Sequence, residues 1–402
     1  MHQTFKAVKV REGLYWVGAI DWAIRDFHGY ATSRGTTYNA FLVLGESPIL
    51  IDTVKAPFYD EMIARIASVI DPKEIELIIS NHSEMDHSGC LTKVIDEVKP
   101  KKVLASKMGV KALKAHFGDT IEGLEEFPEG GVLETYGVKL HFIETRMLHW
   151  PDSMFTYMPE EKILFSQDGF GMHLATYERF ADQIPRWILE REAAKYYANI
   201  LNPYSPLVAK LLAKTQEMGL EVDLLLPDHG PIYRTKEDIE WIIGRYADWS
   251  SGKLPQKVVV FYDTMWGSTD KLARAIGEGI ASRGVEAKLL PLGGSHRSDV
   301  ATELLSAGGL VVGSPTLNNN MFPSVADVLT YVKGLGFKGR IGAAFGSYGW
   351  GGESVKQVAQ VLEEMRTHIV DTLKVQYVPD QDDLYAAYQL GVKVAEELKE
   401  KA

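Results

Sequence analysis

The sequence predicts two domains of different grammar. The first is an α+β unit, with sheets packed together and helices outside; the second is an α/β unit built as a doubly wound parallel sheet. Three observations carry this. The chain has 402 residues, longer than one hydrophobic core usually supports. Up to residue 250 its apolar runs come in strand groups with helices inserted between them. From Gln256 onward strand and helix alternate, and Ser250-Ser251-Gly252-Lys253-Leu254-Pro255 breaks one pattern from the other. The expected boundaries are 1–250, a linker at 251–256, and 257–402.

In order, residues 6–19 suggest a hairpin broken at Arg11-Glu12-Gly13. Strands follow at 37–44 and 48–53. Pro57 opens a helix to Ile70, with Met62, Ile63, Ile66 and Ile70 at helical spacing. An apolar strand at 75–79 leads to a ligand-dense loop, then a helix at 90–98, a strand at 102–105 and a helix at 107–117. Hairpins are expected at 132–144 and 154–166, and helices at 185–199, 204–218 and 235–248. In the second half, strands are expected at 257–262, 285–290, 310–312, 341–345 and 372–378. Helices are expected at 269–283, 323–334, 353–365 and 382–398.

A net charge of −11 argues against nucleic-acid backbones as partners. No apolar run approaches the ~18 residues of a membrane span, so none is expected. The N-terminus lacks a charged-then-apolar signal pattern, and a cytoplasmic location is expected. The single cysteine, Cys90, excludes an intrachain disulfide, a Cys-x-x-Cys pair and a four-cysteine iron site within this chain. It reads as a small buried residue.

The chemistry concentrates in Asn81-His82-Ser83-Glu84-Met85-Asp86-His87-Ser88-Gly89, which follows the strand at 75–79. On extended backbone His82 and Glu84 leave on the same side, Asp86 continues that row, and His87 points elsewhere. Such a loop can serve two metals, one through His82 and Glu84, the other through Asp86 and His87. His149, Asp168 and His229 stand at or near the ends of later apolar runs and complete the candidate set. Either histidine can finish one site, and the two oxygens of Asp168 can bridge. Imidazole with hard carboxylate and no thiolate suits iron, manganese or zinc. Singly, each later residue is more often a loop cap or a solvated group than a ligand.

Three loops of the second half carry a different signal. Thr264, Met265, Trp266, Gly267, Ser268 and Thr269 join its first strand to its first helix. Hydroxyls and amides at a helix N-terminus make an anion site. The absence of a Walker lysine and of Gly-x-Gly-x-x-Gly argues against a triphosphate or a Rossmann dinucleotide. Ser314, Pro315, Thr316, Asn318 and Asn319 form a second loop; Ser347, Tyr348, Gly349, Trp350, Gly351 and Gly352 form a third. At the carboxyl ends of parallel strands all three converge on one crevice.

Together these patterns carry a resemblance. His82-x-Glu84-x-Asp86-His87, then His149, Asp168 and His229, resembles the metallo-β-lactamase fold, an αββα sandwich. Glu84 stands where that family usually has a second histidine, and this substitution is characteristic of flavodiiron proteins. The three later loops resemble those of flavodoxins, so the likeness spans essentially the whole chain. The resemblance implies two irons. His82, Glu84 and His149 would hold one; Asp86, His87 and His229 would hold the other, with His87 turned away in some family members. Asp168 would bridge. It implies FMN on the three loops, with Thr264, Ser268 and Thr269 on the phosphate and Tyr348 and Trp350 over the ring. Electrons from a separate rubredoxin-type donor would pass through FMN to the diiron site, which reduces O2 to water or NO to N2O.

A metal and a flavin in separate domains of one chain raise the question of distance. The family's answer is a head-to-tail homodimer, or a dimer of such dimers, with one chain's flavin beside the partner's iron. Trp150 is then a candidate for touching that flavin or shielding the metal, His28 for lining the metal pocket, and Tyr196 and Tyr197 for approaching the site from a helix; for each, a structural or packing role is the competing reading. Two other functions compete: a dinuclear zinc hydrolase fused to a flavodoxin-like domain, and an electron carrier whose first domain is a spent scaffold. The gas preferred is not legible.

Overall fold

The computed structural model describes residues 4–128 and 130–401. The chain divides into two compact units: residues 1–28, 32–196 and 206–247, and residues 29–31, 197–205 and 248–402.

The first unit has two sheets. One runs in the order Val8–Arg11, Leu14–Trp16, Phe41–Val43, Ile49–Ile51, Leu77–Ser80, Lys102–Ala105, Leu124–Glu126. The other runs Val132–Thr135, Val138–Glu144, Met154–Met158, Ile163–Gln167, Leu224–Pro227. Strand periodicity sorts the side chains between two cores. Leu77, Ile79, Phe41 and Leu104 point between the sheets, where they meet Leu140, Phe142, Met154 and Phe165 of the second sheet. Ile78, Leu42, Val103 and Ala105 point the other way, against Met62 and Ile66 of helix Tyr59–Ala67 and Val94 of helix Leu91–Val98. The result is a helix-sheet-sheet arrangement in which helices Arg186–Tyr196 and Ser205–Glu217 lie in sequence between the strands Ile163–Gln167 and Leu224–Pro227 of the second sheet, and Lys236–Ser250 follows it.

Two local expectations change. The strand expected over 37–44 is two strands: Thr36–Tyr38 pairs with Ala19–Asp21, and Phe41–Val43 enters the main sheet. Between them Asn39 is tied elsewhere, donating from its backbone N to Asp228 O at 2.7 Å. Second, the extended row expected through Asp86 ends early. Met85–Ser88 is a helical turn with Glu84 at its N-cap. Ser88 closes that turn, its hydroxyl donating to Ser83 O at 2.8 Å and Glu84 O at 3.0 Å. A side chain at Gly89 would meet Met85 O at 2.3 Å, so only glycine lets the turn pack this closely.

The second unit has one sheet, ordered Glu286–Pro291, Lys257–Tyr262, Gly309–Gly313, Ile341–Tyr348, His368–Gln376. All four pairings are parallel. The order reverses between Lys257–Tyr262 and Gly309–Gly313, the switch point at which such sheets bind ligands. Val258, Val260 and Val311 pack on Leu272, Ile276 and Ile280 of helix Ser268–Ala281. A helix at Arg297–Leu305, absent from the sequence reading, completes the alternation. Gly293-Gly294-Ser295 had masked it as loop, although Val300, Ala301, Leu304 and Leu305 are at helical spacing and buried. Among the described residues no helix is long and apolar enough to cross a membrane.

Candidate metal centre and flavin crevice

The strand Leu77–Ser80 delivers Asn81 and His82 to its C-terminal end, and Asp52 fixes them there. Asn81 donates to Asp52 through its backbone N and its Nδ2, each at 2.7 Å. The turn at Met85–Ser88 swings Asp86 and His87 inward, so His87 joins the cluster instead of pointing away. The two groups brought together are His82, Glu84, His149 and Asp168, and Asp86, His87 and His229, all buried.

Asp168 joins the two. Its Oδ2 lies 2.9 Å from His149 Nε2 and 3.5 Å from His82 Nε2. Its Oδ1 lies 3.2 Å from His87 Nε2 and 3.4 Å from His229 Nε2. Glu84 Oε2 is 3.2 Å from both His82 and His149 Nε2, and Asp86 Oδ2 is 3.2 Å from His229 Nε2 and 3.4 Å from His87 Nε2. Yet among the described residues both oxygens of Asp86, Oδ1 of Asp168 and both ring nitrogens of His87 lack a hydrogen-bond partner. These atoms approach a common point without the angles of donation. Buried donors and acceptors left this way are costly, and a cation at each focus resolves them. The residues therefore fit a two-metal centre.

The electrostatics agree. Burial pushes His87 down, but Asp86 and Asp168 override it and pull the ring up to about 10. Burial pushes Glu84 up, while His149, His28 and His82 hold it well below the ordinary carboxylate range. These carboxylates stay charged and demand positive partners, which metals supply in place of ring protons.

The outer shell contains residues the sequence reading missed. Asp152 Oδ2 accepts from Ser83 N and Oγ at 2.6 Å each and lies 3.1 Å from His82 Nδ1. His229 Nδ1 donates to Thr37 O at 2.6 Å. His173 is buried, its Nδ1 2.8 Å from Thr36 Oγ1 and its ring 4.7 Å from that of His229. Burial, then His229, drives His173 toward its neutral form. Asp152 sits three residues after His149 and was legible as an acid beside a ligand; His173 had no such signal.

His28 is half-exposed, and its Nε2 is 2.6 Å from Glu84 Oε1. Trp150 is half-buried, its ring edge-on to His82 at 5.3 Å and stacked on His116 at 6.3 Å. Tyr197 meets Ser205 Oγ at 2.9 Å and packs on Trp249, whereas its neighbour Tyr196 faces His173 and His229.

In the second unit a crevice of about 810 Å³ opens at the switch point. Met265, Trp266 and Ser268 line it from the first loop, Pro315, Thr316, Asn318 and Asn319 from the second, and Ser347, Tyr348, Gly349 and Trp350 from the third. Leu317 of the second loop lines it too, as do Tyr377 and Val378, which were not read from sequence. Gly267, at φ +86, turns the chain into helix Ser268–Ala281, and its N donates to Thr264 Oγ1 at 3.0 Å. Thr269 Oγ1 lies 2.8 Å from Ser347 Oγ, linking two of the loops. Asn318 and Asn319, both at positive φ, form the tight turn of the small hairpin Thr316–Leu317 and Asn320–Met321. Ser314 is buried beneath this hairpin, donating to Pro315 O at 2.8 Å. Gly351 and Gly352 follow at φ +84 and +86. Trp266 and Trp350 are rim residues, 95% and 80% exposed. The crevice has the size and lining of a cofactor site.

A buried two-metal centre on a β-lactamase-like sandwich, in one chain with a flavodoxin-type crevice, defines a two-domain metalloflavoprotein oxidoreductase. Residues 36–230 match the ODP family beta lactamase, and residues 260–391 match flavodoxin. The chain is 42% identical to the rubredoxin-oxygen oxidoreductase of Megalodesulfovibrio gigas, covering 98% of this chain and 99% of that one. It is also 42% identical to the nitric oxide reductase of Moorella thermoacetica, covering 96% and 98%. The crystal structure of the flavodiiron protein from Giardia intestinalis superimposes with a TM-score of 0.96 at 34% identity, covering 100% of this chain and 98% of that one. The chain belongs to the flavodiiron protein family. Its cofactors are FMN and a diiron site.

Proposed function

We propose that His82, Glu84 and His149 hold one iron, Asp86, His87 and His229 the other, and that Asp168 bridges them. The observation that carries this is the division of Asp168, one oxygen toward each ligand group. The irons supply the binding and reduction of O2 or NO, and FMN supplies the electrons. The chain's own residues do the rest. Glu84 and Asp86 offset the metal charge, while Asp152 and Thr37 O orient His82 and His229. His28 holds a proton at Nε2 against Glu84 Oε1 and, being half-exposed, exchanges it with solvent.

The crevice would hold FMN, with Thr264, Ser268 and Thr269 as the residues that would bind its phosphate at the N-terminus of helix Ser268–Ala281. Tyr348 and Trp350 would flank the ring, and Gly349, Gly351 and Gly352 would let backbone approach it. The donor is a rubredoxin-type protein, in keeping with the name of the M. gigas relative. The working form is a head-to-tail homodimer in the cytoplasm, with Trp150 near the partner's flavin. Tyr197 is kept as a packing residue and Tyr196 takes its place beside the centre. A dinuclear zinc hydrolase is not favoured, because the relatives are named oxidoreductases.

The test is anaerobic. Fully reduced protein of known iron and FMN content is mixed separately with O2 and with NO, and gas loss and flavin reoxidation are followed. Sustained turnover with either gas is expected. Two zincs per chain, or inertness to both gases in protein holding two irons and FMN, would sink the proposal.

A further inference from the structure

A metal-binding imidazole needs a partner on its far nitrogen to fix tautomer and ring plane. His82 has Asp152, and His229 has Thr37 O. Behind His87 the arrangement differs. Its Nδ1 faces Asp228 Oδ2 at 3.6 Å, just beyond hydrogen-bonding reach. Asp228 is 1% exposed, and among the described residues neither of its oxygens has a hydrogen-bond partner. Nor has His87 Nδ1. A carboxylate this deep, with no donor, calls for a reason.

Both main chains are pinned. Asp228 N donates to Gln167 O at 2.8 Å, and Asp228 O accepts from Asn39 N at 2.7 Å. His87 O accepts from Thr53 N at 3.2 Å and from the Thr53 hydroxyl. The nearby carboxylate of Asp52 is not free to take the role, because Asn81 engages both its oxygens. That leaves the two orphaned groups facing each other, a small ring rotation from contact. On the other side of the ring, Nε2 already faces Asp86 and Asp168.

We propose that Asp228 is the positioning residue that keeps His87 turned into the metal centre. It accepts the Nδ1 proton of a neutral imidazole, so that Nε2 is presented to the metal shared with Asp86 and His229. The inference rests on the diiron reading above. It assigns to Asp228 the choice between an inward and an outward His87.

The test compares wild type, Asp228→Ala, Asp228→Asn, His87→Ala and the double variant Asp228→Ala/His87→Ala. Each is loaded with iron-57 and read by metal content and Mössbauer spectroscopy. A crystal structure of the iron-loaded wild type is the companion measurement. The expected wild type holds two irons per chain, with His87 Nδ1 donating to Asp228. Asp228→Ala is expected to weaken the second site by about 10- to 100-fold and to alter one of the two iron signals. Asp228→Asn, whose side-chain oxygen still accepts, restores most of the loss. The double variant loses no more than His87→Ala, because Asp228 acts through His87. Unchanged signals in Asp228→Ala, or additive losses in the double variant, overturn the positioning role while leaving the diiron reading intact. Should the variants fail to fold, the wild-type crystal decides: an outward His87 overturns the proposal. A wild type that binds no second metal overturns both readings.

Discussion

Gly230 links backbone geometry to metal binding and gives the sharpest test of the site. It follows His229 directly, at φ +78. Its N donates to Thr37 Oγ1 at 2.7 Å, and its carbonyl accepts from Asn39 Nδ2 at 3.0 Å. A Cβ there would meet Met172 Cγ and Met172 O, both at 2.7 Å. In Gly230→Ala the left-handed backbone costs about 1–2 kcal/mol. The methionine side chain can swing away, but its carbonyl cannot, and overpacking adds about 1–3 kcal/mol. A total near ~3 kcal/mol lowers the melting temperature of a unit this size by roughly 6–12 °C. The relief is a shift of the 229–230 backbone, which carries His229 off its metal and weakens that site by about 10- to 100-fold. Gly219→Ala is the control. Gly219 has φ +63 with nothing within 4 Å of a new Cβ, so it costs only about 1–2 kcal/mol and no iron. The assay is iron per chain by mass spectrometry, alongside calorimetric melting of both variants. If Gly230→Ala keeps both irons and melts with Gly219→Ala, the clash argument is refuted.

Other expectations follow from the same geometry. Burial alone would raise Asp152, but His82 and Ser83 hold it down at about 2, below its ordinary 3.8. Its contribution is thus present above pH ~4 and fades as pH falls toward ~2, worth ~2 kcal/mol. Acid titration of stability should be shallower over that window in Asp152→Asn, and identical acid limbs would contradict it. Tyr348→Ala should weaken FMN binding by roughly 10-fold, through loss of a ring contact worth about 1–1.5 kcal/mol. Fluorescence titration of the flavin-free protein measures this, and an unchanged affinity places the ring elsewhere. His28→Gln should keep both irons while lowering steady-state turnover by about 100-fold, as for a lost proton donor. Full turnover across pH would remove His28 from the reaction.

The sandwich and the parallel sheet were readable because their strands obey simple periods. Ile78 points to one core and Ile79 to the other, as alternation requires. The conformation of the metal loop was not readable. His82 to His87 looks extended by sequence, because no apolar period marks a four-residue helical turn. What makes Met85–Ser88 helical is the Ser88 hydroxyl reaching back to Ser83 and Glu84. That single turn moved His87 from outside the cluster to inside it. Asp152 stands three residues after a candidate ligand in sequence, so its role was within reach. His173 and Thr36 were not, because they meet His229 only through tertiary packing. Tyr377 and Val378 line the flavin crevice by geometry of the turn after His368–Gln376. Neither carries a compositional mark.

Glu84 is where the ligand set departs from the second histidine usual in metallo-β-lactamase loops, and charge shows why. The seven candidate ligands include three carboxylates, Glu84, Asp86 and Asp168, and four imidazoles. Two divalent ions against three negative charges leave one excess positive charge; two trivalent ions leave three. With a histidine at position 84 the excess rises by one in each state. A carboxylate oxygen ligating at about 2 Å interacts by up to ~8 kcal/mol per unit of metal charge at an effective dielectric near 20. Glu84 therefore favours the trivalent over the divalent ion by up to ~8 kcal/mol, before relaxation and the opposing pull of His28 on Oε1. A zinc site gains nothing from this bias, since zinc does not change charge. A site that cycles between two iron states does. Glu84→His should accordingly raise the reduction potential of one iron and let zinc compete for it. Redox titration followed by the iron signals, with metal analysis after growth in mixed metals, measures both effects. Equal potentials in the two proteins would mean that Glu84 is present for shape and not for charge.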